Sequence, residues 1–224
     1  MVATWELMAP LRTDHGMGRA PTQRMEVSVG KIVAAEYVTV DGVMQDPGGV
    51  GEIELGGWSN RYWNDELAKL QTDLLFASDA LLLGRVTYEA FAAAWPDMEH
   101  EAGPFAEKMN SMPKYVASRT VQEMEWNATR IEGDVAEEVA KLKLDPGRNF
   151  LIYGSGSLVR LLMQHDLIDQ FRLMIHPVVL GAGKPLFGDG GDKKDLRLLG
   201  THTTSTGVTV VDYQPVRVTR AQRR

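Results

Sequence analysis

Cysteine is absent from the 224 residues of this chain. Its absence excludes disulfides, thiolate nucleophiles and cysteine-ligated zinc, and it fits the reducing cytoplasm, where we expect the protein to be. No apolar run approaches the length of a membrane helix, and the formal net charge of -6 gives no general attraction for nucleic acid or an anionic membrane. We therefore expect a small-molecule substrate as the binding partner, with no nucleic acid, no membrane and no metal site.

The chain is long enough for one domain with tails. Its hydrophobic content of 44% can supply a sizeable core. Residues 1–29 show no hydrophobic period and no apolar segment typical of a signal peptide, so we predict an irregular leader there. Residues 30–214 form the predicted domain. Residues 215–224 are predicted to be a basic tail exposed to solvent.

The order of the predicted elements indicates an α/β fold. Buried strands, each followed by a glycine turn or a helix, alternate along most of the chain, and two strands close it as an antiparallel pair. The strands are predicted at residues 32–38, 80–83, 114–117, 150–153, 171–180, 196–199 and 206–213. A mixed, mainly parallel central sheet follows from this order.

Capping signals predict two of the helices. Asn64 is the candidate N-cap of a helix over residues 64–77, which carries leucines on one face. Asp134 followed by Glu137 resembles a capping box that opens a helix to Leu144. In that helix we expect Glu137 to pair with Lys141, four residues later.

Two stretches are predicted to be loops. Residues 96–113 contain three prolines, and residues 45–57 contain five glycines and one proline. We predict the second stretch to be a mobile loop, either a functional lid or disordered. Trp58, Tyr62 and Trp63 follow it directly, and two interpretations are open: they anchor the loop on the core, or they form the wall of a planar substrate site.

Three predicted strands end in residues that suit a phosphate ligand. They are Gly84-Arg85-Val86-Thr87, Ser118-Arg119-Thr120 and Gly154-Ser155-Gly156-Ser157. Open α/β sheets bind ligands beyond the carboxyl ends of their strands, and Arg presents a fork of donors to phosphate oxygens. The glycine turn alone is equally compatible with a simple strand-to-helix turn. It is incomplete as a Rossmann fingerprint, because Val159 stands where the third glycine is required.

These strand ends resemble those of the dihydrofolate reductase fold. Further motifs are similar to the reductase-like proteins grouped with the C-terminal domain of the riboflavin-pathway enzyme RibD. They are Thr39-Val40-Asp41-Gly42-Val43-Met44-Gln45, Gly56-Gly57-Trp58, Leu167-Ile168-Asp169 and Pro177-Val178-Val179-Leu180-Gly181-Ala182-Gly183-Lys184-Pro185-Leu186-Phe187. The resemblance covers residues 30–214 and implies a three-layer α/β fold with a central mixed sheet and an antiparallel C-terminal strand pair.

The resemblance also implies a cofactor, NADPH, bound in an extended pose with preference over NADH. Arg85 and Arg119 are expected at the 2'-phosphate and pyrophosphate, and Ala35 at the nicotinamide carboxamide. The complete set of implied cofactor residues is Ala35, Gly84, Arg85, Thr87, Ser118, Arg119, Thr120, Gly154, Ser155, Gly156, Ser157 and Leu158. Proteins of this kind commonly pair, so we expect a homodimer.

Two functions remain open at this point. The first is an NADPH-dependent reductase of a small heterocyclic substrate, such as a ribosylamino-pyrimidine or a pterin-like compound. The second is an NADPH-binding or sensing module without turnover, since Ala68 stands where we expect the helix carboxylate of dihydrofolate reductase. For the reductase, a carboxyl group could deliver the proton, and we name Asp41 first and Glu36 second. Trp58, Tyr62 and Trp63 are the candidate substrate contacts.

Overall fold

The computed structural model describes residues 29–188 and 193–217. Eight strands form one sheet. They are β1 Ile32–Thr39, β2 Ala80–Gly84, β3 Lys114–Ala117, β4 Ala128–Arg130, β5 Phe150–Tyr153, β6 Gln170–His176, β7 Leu196–Thr203 and β8 Thr209–Pro215. Their order across the sheet is β4-β3-β2-β5-β1-β6-β8-β7. The strands from β4 to β6 run parallel, and β8 is antiparallel to both β6 and β7, so the predicted mixed sheet is confirmed.

Helices cover both faces of the sheet. They are α1 Asp65–Phe76, α2 Arg85–Ala94, α3 Glu99–Ala102, α4 Pro104–Ser111, α5 Val135–Leu142 and α6 Gly156–Gln164, with 3-10 turns at Asn60–Tyr62 and Trp95–Met98. Leucines of α1 and residues of α2 and α4 pack on one face, whereas α5 and α6 pack on the other. Because successive strand residues point to opposite faces, two cores form on the two sides of one buried sheet. The result is the predicted three-layer α/β architecture.

The capping residues behave as predicted. Asn64 Oδ1 accepts a hydrogen bond from Leu67 N at 2.9 Å, and Asp134 Oδ1 accepts one from Glu137 N at 2.9 Å. The predicted pair between Glu137 and Lys141 is wrong. Lys141 Nζ instead contacts Glu138 Oε1 at 2.6 Å, since residues three apart also face each other on a helix.

Residues 96–113 are mostly helical, so the predicted loop is wrong. Pro96 lies in the 3-10 turn and Pro104 in the first turn of α4. At these positions a proline removes no helical hydrogen bond, so it can begin a helix as readily as it can end one. The three-residue strand β4 was not predicted. Residues 177–180 are not part of β6, which ends at His176.

The loop at residues 45–57 is organised by its own hydrogen bonds. The Asp46 carboxylate accepts from the backbone N–H groups of residues 50 to 53, at distances from 2.6 to 3.4 Å. Trp58 Nε1 donates to the Gln45 carbonyl at 2.8 Å. Instead of an unstructured lid, the glycines therefore form a compact loop wrapped around one carboxylate.

The predicted tails lie largely beyond the described residues. Residues 1–28 of the leader and 218–224 of the basic tail are outside them. Arg217, which is described, forms an ion pair with Asp169 at 2.7 Å. Among the helices of residues 29–188 and 193–217, none has both the length and the apolar character needed to cross a bilayer.

Candidate active site at the strand ends

The three predicted phosphate motifs lie side by side at one edge of the sheet. Strands β3, β2 and β5 are neighbours, and Gly84 at the end of β2 is in register with Ala117 at the end of β3. Gly84 N donates to Ser155 Oγ at 2.8 Å, and Ser155 N donates to Thr87 Oγ1 at 3.1 Å. The β2–α2 turn and the β5–α6 turn are therefore joined into one platform.

The β5–α6 turn has a backbone that suits an anionic ligand. Gly154 and Ser155 both adopt positive φ, at 58° and 62°, which turns the chain sharply from the strand into α6. Leu158 N and Val159 N donate to the Ser155 carbonyl, whereas the N–H groups of Gly156 and Ser157 have no acceptor within the described chain. Free amides at a helix N-terminus, with the positive end of the helix dipole, are a favourable site for phosphate.

Gly156 is required because neighbouring atoms leave no room for a side chain. A Cβ atom at this position would collide with Met44 Sδ. At Gly154 a Cβ would lie 3.1 Å from Thr87 Oγ1, and the positive φ adds strain for any larger residue. The two glycines thus allow the turn to pack tightly against Met44, in the segment after β1, and against Thr87 of α2. Leu158 is buried in the core, so only its backbone can face a ligand.

The hydroxyl and guanidinium groups of the other two strand ends lie at the surface. Arg85 forms an ion pair with Glu89 at 2.7 Å, four residues later on α2. Ser118 Oγ accepts from the N–H groups of Thr120 and Val121, which closes the turn after β3. Arg119 and Thr120 are exposed. Both arginines are consequently accessible to a ligand that lies along this edge.

The two predicted proton donors occupy very different surroundings. Glu36 is 1% exposed and its Oε1 atom has no hydrogen-bond partner among the described residues. Burial raises the pKa of Glu36 well above its usual value, against a smaller opposing contribution from the Gly154 N–H. Its side chain lies on the α5–α6 side of the sheet, as the alternation along β1 requires. Burial therefore favours the protonated form of Glu36, which lies beneath the glycine turn.

Asp41 is an exposed, ionised group. Its carboxylate accepts from Thr39 Oγ1 at 2.5 Å and from the N–H groups of Leu180 and Gly181 at 3.3 and 2.7 Å. These hydrogen bonds, led by that of Thr39, lower the pKa of Asp41. An ionised carboxylate has no proton to give, so the geometry favours a role in tying the end of β1 to the loop after β6.

Two of the three predicted substrate aromatics come together around a histidine. Trp58 is buried and Tyr62 half-buried, and their ring centroids lie 5.1 and 5.7 Å from that of His176. Tyr37 completes the group at 4.8 Å. Trp63 is 54% exposed and makes no ring contact with them among the described residues.

Polar groups without partners in the described residues lie around Tyr37 on the α1 side of the sheet. Gln71 Nε2 on α1 donates to the Tyr37 hydroxyl at 3.2 Å. Gln71 Oε1, the Tyr153 hydroxyl and His176 Nε2 are buried and have no partner in the described residues. We call Tyr37, Gln71, Tyr153 and His176 the α1-side polar cluster. Buried polar groups are nearly always hydrogen-bonded, so these three atoms are candidates for contact with a bound molecule or with ordered water.

Burial keeps the α1-side polar cluster uncharged. It lowers the pKa of His176, against the opposing effect of the carbonyls of Met174 and Val38, and it raises the pKa of Tyr37 to about 12. It also raises the pKa of Tyr153. A neutral imidazole, two phenols and an amide can recognise an uncharged heterocycle by hydrogen bonds. Since Ala35 pairs with Tyr153 in the sheet, the cluster adjoins the position expected for the nicotinamide.

A model of the RibD C-terminal domain family matches residues 30–210. The chain belongs to this family. The Bacillus subtilis (strain 168) protein YyaP is 40% identical to it over 147 residues, which are 63% of this chain and 77% of YyaP.

Solved structures show the same fold as this RibD C-terminal domain protein. A putative riboflavin biosynthesis protein from Shewanella sp. PV-4 has a TM-score of 0.66 at 22% identity, covering 84% of this chain and 99% of that chain. Dihydrofolate reductase from Enterococcus faecalis, complexed with NADP(H), has a TM-score of 0.53 at 14% identity, covering 84% of this chain and 98% of that chain. These likenesses confirm the predicted dihydrofolate reductase-like fold, and the family supports an oxidoreductase.

Sequence reasoning missed the α1-side polar cluster of this RibD C-terminal domain protein. Tyr37 and Tyr153 stand within apolar strand segments, where an aromatic residue predicts only core packing. Gln71 stands between leucines of α1, and His176 precedes Pro177 at a strand end. A polar residue on an otherwise apolar helix face was the one available signal, and it did not indicate which strands that face contacts.

Proposed function

We propose that this RibD C-terminal domain protein is an NADPH-dependent reductase of a small planar heterocycle of the pyrimidine or pterin type. The observation that carries the proposal is the position of the joined platform of Gly84, Thr87 and Ser155 beside the α1-side polar cluster. A nucleotide held on the first would present its reactive end to a ring held on the second. The cofactor named for the related dihydrofolate reductase structure, NADP(H), supports the same choice.

The residues of the platform fit a dinucleotide phosphate. The free N–H groups of Gly156 and Ser157 suit the pyrophosphate, and the exposed Arg85 and Arg119 suit the 2'-phosphate. When bound, NADPH would supply the hydride. Ser118, Thr120 and the backbone of Leu158 would complete the contacts along the edge of the sheet.

The α1-side polar cluster would bind and orient the substrate ring. Tyr153 offers a donor and Gln71 an acceptor that have no partner among the described residues, and Trp58 and Tyr62 close the apolar wall around His176. Arg172 lies on the same face of the sheet, in register with Ala35, but it is paired with Asp212 at 2.9 Å. The unpaired groups that remain for a ring are uncharged, so we propose an uncharged ring. Asp41 and Glu36 are not the proton donors in this proposal, since one is ionised and the other faces the opposite side of the sheet.

A titration and a turnover screen test the proposal together. The purified protein is titrated with NADPH and NADH, and pyrimidines, ribosylamino-pyrimidines and pterins are then screened for loss of NADPH absorbance. We expect NADPH binding in the micromolar range or tighter and turnover with at least one ring class. Binding without turnover of any of these rings would favour the NADPH-binding or sensing module. Absence of binding would reject the cofactor assignment.

A further inference from the structure

Arg85, the residue proposed to bind a phosphate, is itself paired with a carboxylate. Its NH1 atom lies 2.7 Å from Glu89 Oε2, and the two side chains are 46% and 47% exposed. Both residues are on α2, whose first residue is Arg85 at the end of β2. A carboxylate therefore lies one helical turn from the residue proposed to receive the 2'-phosphate of NADPH.

We propose that Glu89 sets the cofactor preference of this protein by opposing the 2'-phosphate at Arg85. The inference rests on the proposed function, because it requires a nicotinamide dinucleotide on the β2–α2 platform. In the structure Glu89 occupies one guanidinium nitrogen of Arg85, NH1, that a phosphate could use. A bound 2'-phosphate must displace this carboxylate and then remain within a few ångströms of its charge.

The magnitude of the opposition follows from elementary electrostatics. An exposed ion pair is weak, so displacing Glu89 from Arg85 costs little. The repulsion is larger, because a phosphate monoester carries a charge of about -1.5 to -2 near neutral pH and would lie roughly 6 Å from the carboxylate. In a watery surrounding this repulsion corresponds to a loss of NADPH affinity of about three- to tenfold. NADH has no such phosphate, so its affinity is unaffected.

Arg119 is the counterpart that lacks such opposition. It is exposed at the end of β3, next to β2, and no ion pair to it exists within residues 29–188 and 193–217. One guanidinium at this edge is thus partly neutralised and the other is not. The expected result is a preference for NADPH that is modest, with measurable use of NADH.

The test compares dissociation constants for NADPH and NADH in four proteins: wild type, Glu89→Gln, Arg85→Ala and the double variant. Gln keeps the size of the side chain and an acceptor oxygen but removes the charge. We expect Glu89→Gln to bind NADPH three- to tenfold more tightly and NADH within twofold of wild type. In the Arg85→Ala background the gain should become smaller, because the phosphate is then held less closely.

A matched control is available on α1. Lys69 and Asp73 form another exposed pair four residues apart, at 2.6 Å. Since α1 ends just before β2 begins, Asp73 lies toward the opposite edge of the sheet from the strand ends. Asp73→Asn should leave both dissociation constants unchanged, which separates a local effect from a change in net charge.

The outcomes are distinguishable. Unchanged or weaker NADPH binding in Glu89→Gln, together with weaker NADPH binding in Arg85→Ala, would overturn the role of Glu89 and leave the cofactor site in place. If Arg85→Ala changes the dissociation constant of neither NADPH nor NADH, both the 2'-phosphate assignment and the role of Glu89 are wrong. Binding is measured without substrate, so a protein that reduces no ring would contradict only the reductase proposal.

Discussion

Tyr153 and Tyr88 are both buried tyrosines, but their hydroxyl groups have opposite hydrogen-bond states. The Tyr88 hydroxyl accepts from Glu125 N at 2.9 Å and donates to the Glu125 carbonyl at 3.3 Å. The Tyr153 hydroxyl has no partner in the described residues. A buried hydroxyl without a partner costs free energy, so a stable protein retains one where a ligand or another function compensates.

This difference gives a prediction at Tyr153. Tyr153→Phe should raise the free energy of unfolding by about 1 kcal/mol, because it removes an unsatisfied polar group, and should lower kcat/KM about tenfold or more with the substrate. Tyr88→Phe is the matched control and should lower the free energy of unfolding by about 1 kcal/mol. Chemical denaturation measures both. A destabilised Tyr153→Phe would show that the hydroxyl has a partner in solution and remove it from the proposed substrate site.

The position of Asp41 and its hydrogen bonds indicate different roles. Its place beside the expected nicotinamide indicated a proton donor, whereas its three accepted hydrogen bonds lower the pKa of its carboxyl and indicate a structural role. Thr39 supplies the first of these bonds and also accepts from Val43 N at 2.9 Å.

The two roles predict different effects of substitutions at Asp41 and Thr39. If Asp41 holds the loop after β6, then Asp41→Asn and Thr39→Val should lower turnover to a similar extent, about tenfold, and leave NADPH affinity within a few-fold. If Asp41 is the proton donor, only Asp41→Asn should lower turnover, by about a hundredfold or more. Steady-state kinetics of the two variants decides between them once a substrate is known. We expect the similar loss.

At the scale of elements, the platform depends on contacts between two turns that are far apart in sequence. Thr87 belongs to α2 and Ser155 precedes α6, yet Thr87 Oγ1 is the acceptor for Ser155 N. This hydrogen bond holds a residue with positive φ, a conformation that non-glycine residues rarely adopt. The shape of the proposed phosphate site is thus set by contact between the β2–α2 turn and the β5–α6 turn.

Thr87→Val tests this contact. The substitution keeps the branched shape but removes the acceptor, which leaves the Ser155 N–H unpaired at a cost of about 1–3 kcal/mol. We expect NADPH and NADH to bind about tenfold more weakly in equal proportion, because the turn contacts what the two cofactors share. Arg85→Ala, in contrast, should weaken NADPH alone. Selective loss of NADPH in Thr87→Val would contradict the assignment of the turn to the pyrophosphate.

At the scale of the whole molecule, Glu36 links stability to pH. Its pKa in the folded state is raised above the usual value of 4.5 by burial. Below pH 4.5 the carboxyl is protonated in both states and has no effect. Above that value the unfolded chain releases the proton while the folded protein retains it, so stability falls as pH rises, by up to about 1.4 kcal/mol per pH unit, until the folded pKa is reached.

Glu36→Gln should remove this contribution. The amide is always neutral and keeps an acceptor for the Gly154 N–H, so the variant should become increasingly more stable than wild type as the pH rises above 4.5. Melting temperatures of the two proteins between about pH 4 and pH 8 measure the difference. The lowered pKa of His176 acts in the opposite direction below pH 6.5, and it cancels because both proteins contain it. A constant difference across the range would show that Glu36 is accessible to water.

The outer strand β7 is the candidate dimer interface. Val208, Val210 and Val211 are buried within the subunit, whereas β7 is an edge strand on which Leu198 and Leu199 are exposed. Edge strands with exposed apolar residues tend to pair, so we expect a homodimer through β7.

Light scattering tests the assembly. We expect about twice the chain mass of 24.8 kDa. Leu198→Lys should shift the mass toward the monomer, and Val50→Lys, on the exposed part of the 45–57 loop, should not. A monomeric wild-type protein at micromolar concentration would contradict the prediction.

The sequence alone determined the local features that depend on neighbouring residues. The two N-caps at Asn64 and Asp134, the apolar strands and the strand-end motifs each follow from propensities and hydrogen bonds within a few positions. The same local rules failed for residues 96–113, because prolines begin helices as well as interrupt them, and for the pairing of Lys141, where two acids compete at three and four residues.

Only the tertiary structure decided which side chains share a site. Glu36 and Tyr37 are adjacent in sequence, but the alternation of a strand places one under the glycine turn and the other beside His176. Gln71 reaches Tyr37 across 34 positions and Ser155 reaches Gly84 across 71. Such contacts depend on strand order and on which face each helix covers. Burial then determines their charge states, because removal from water, and not residue type, shifts the pKa of Glu36 and of His176.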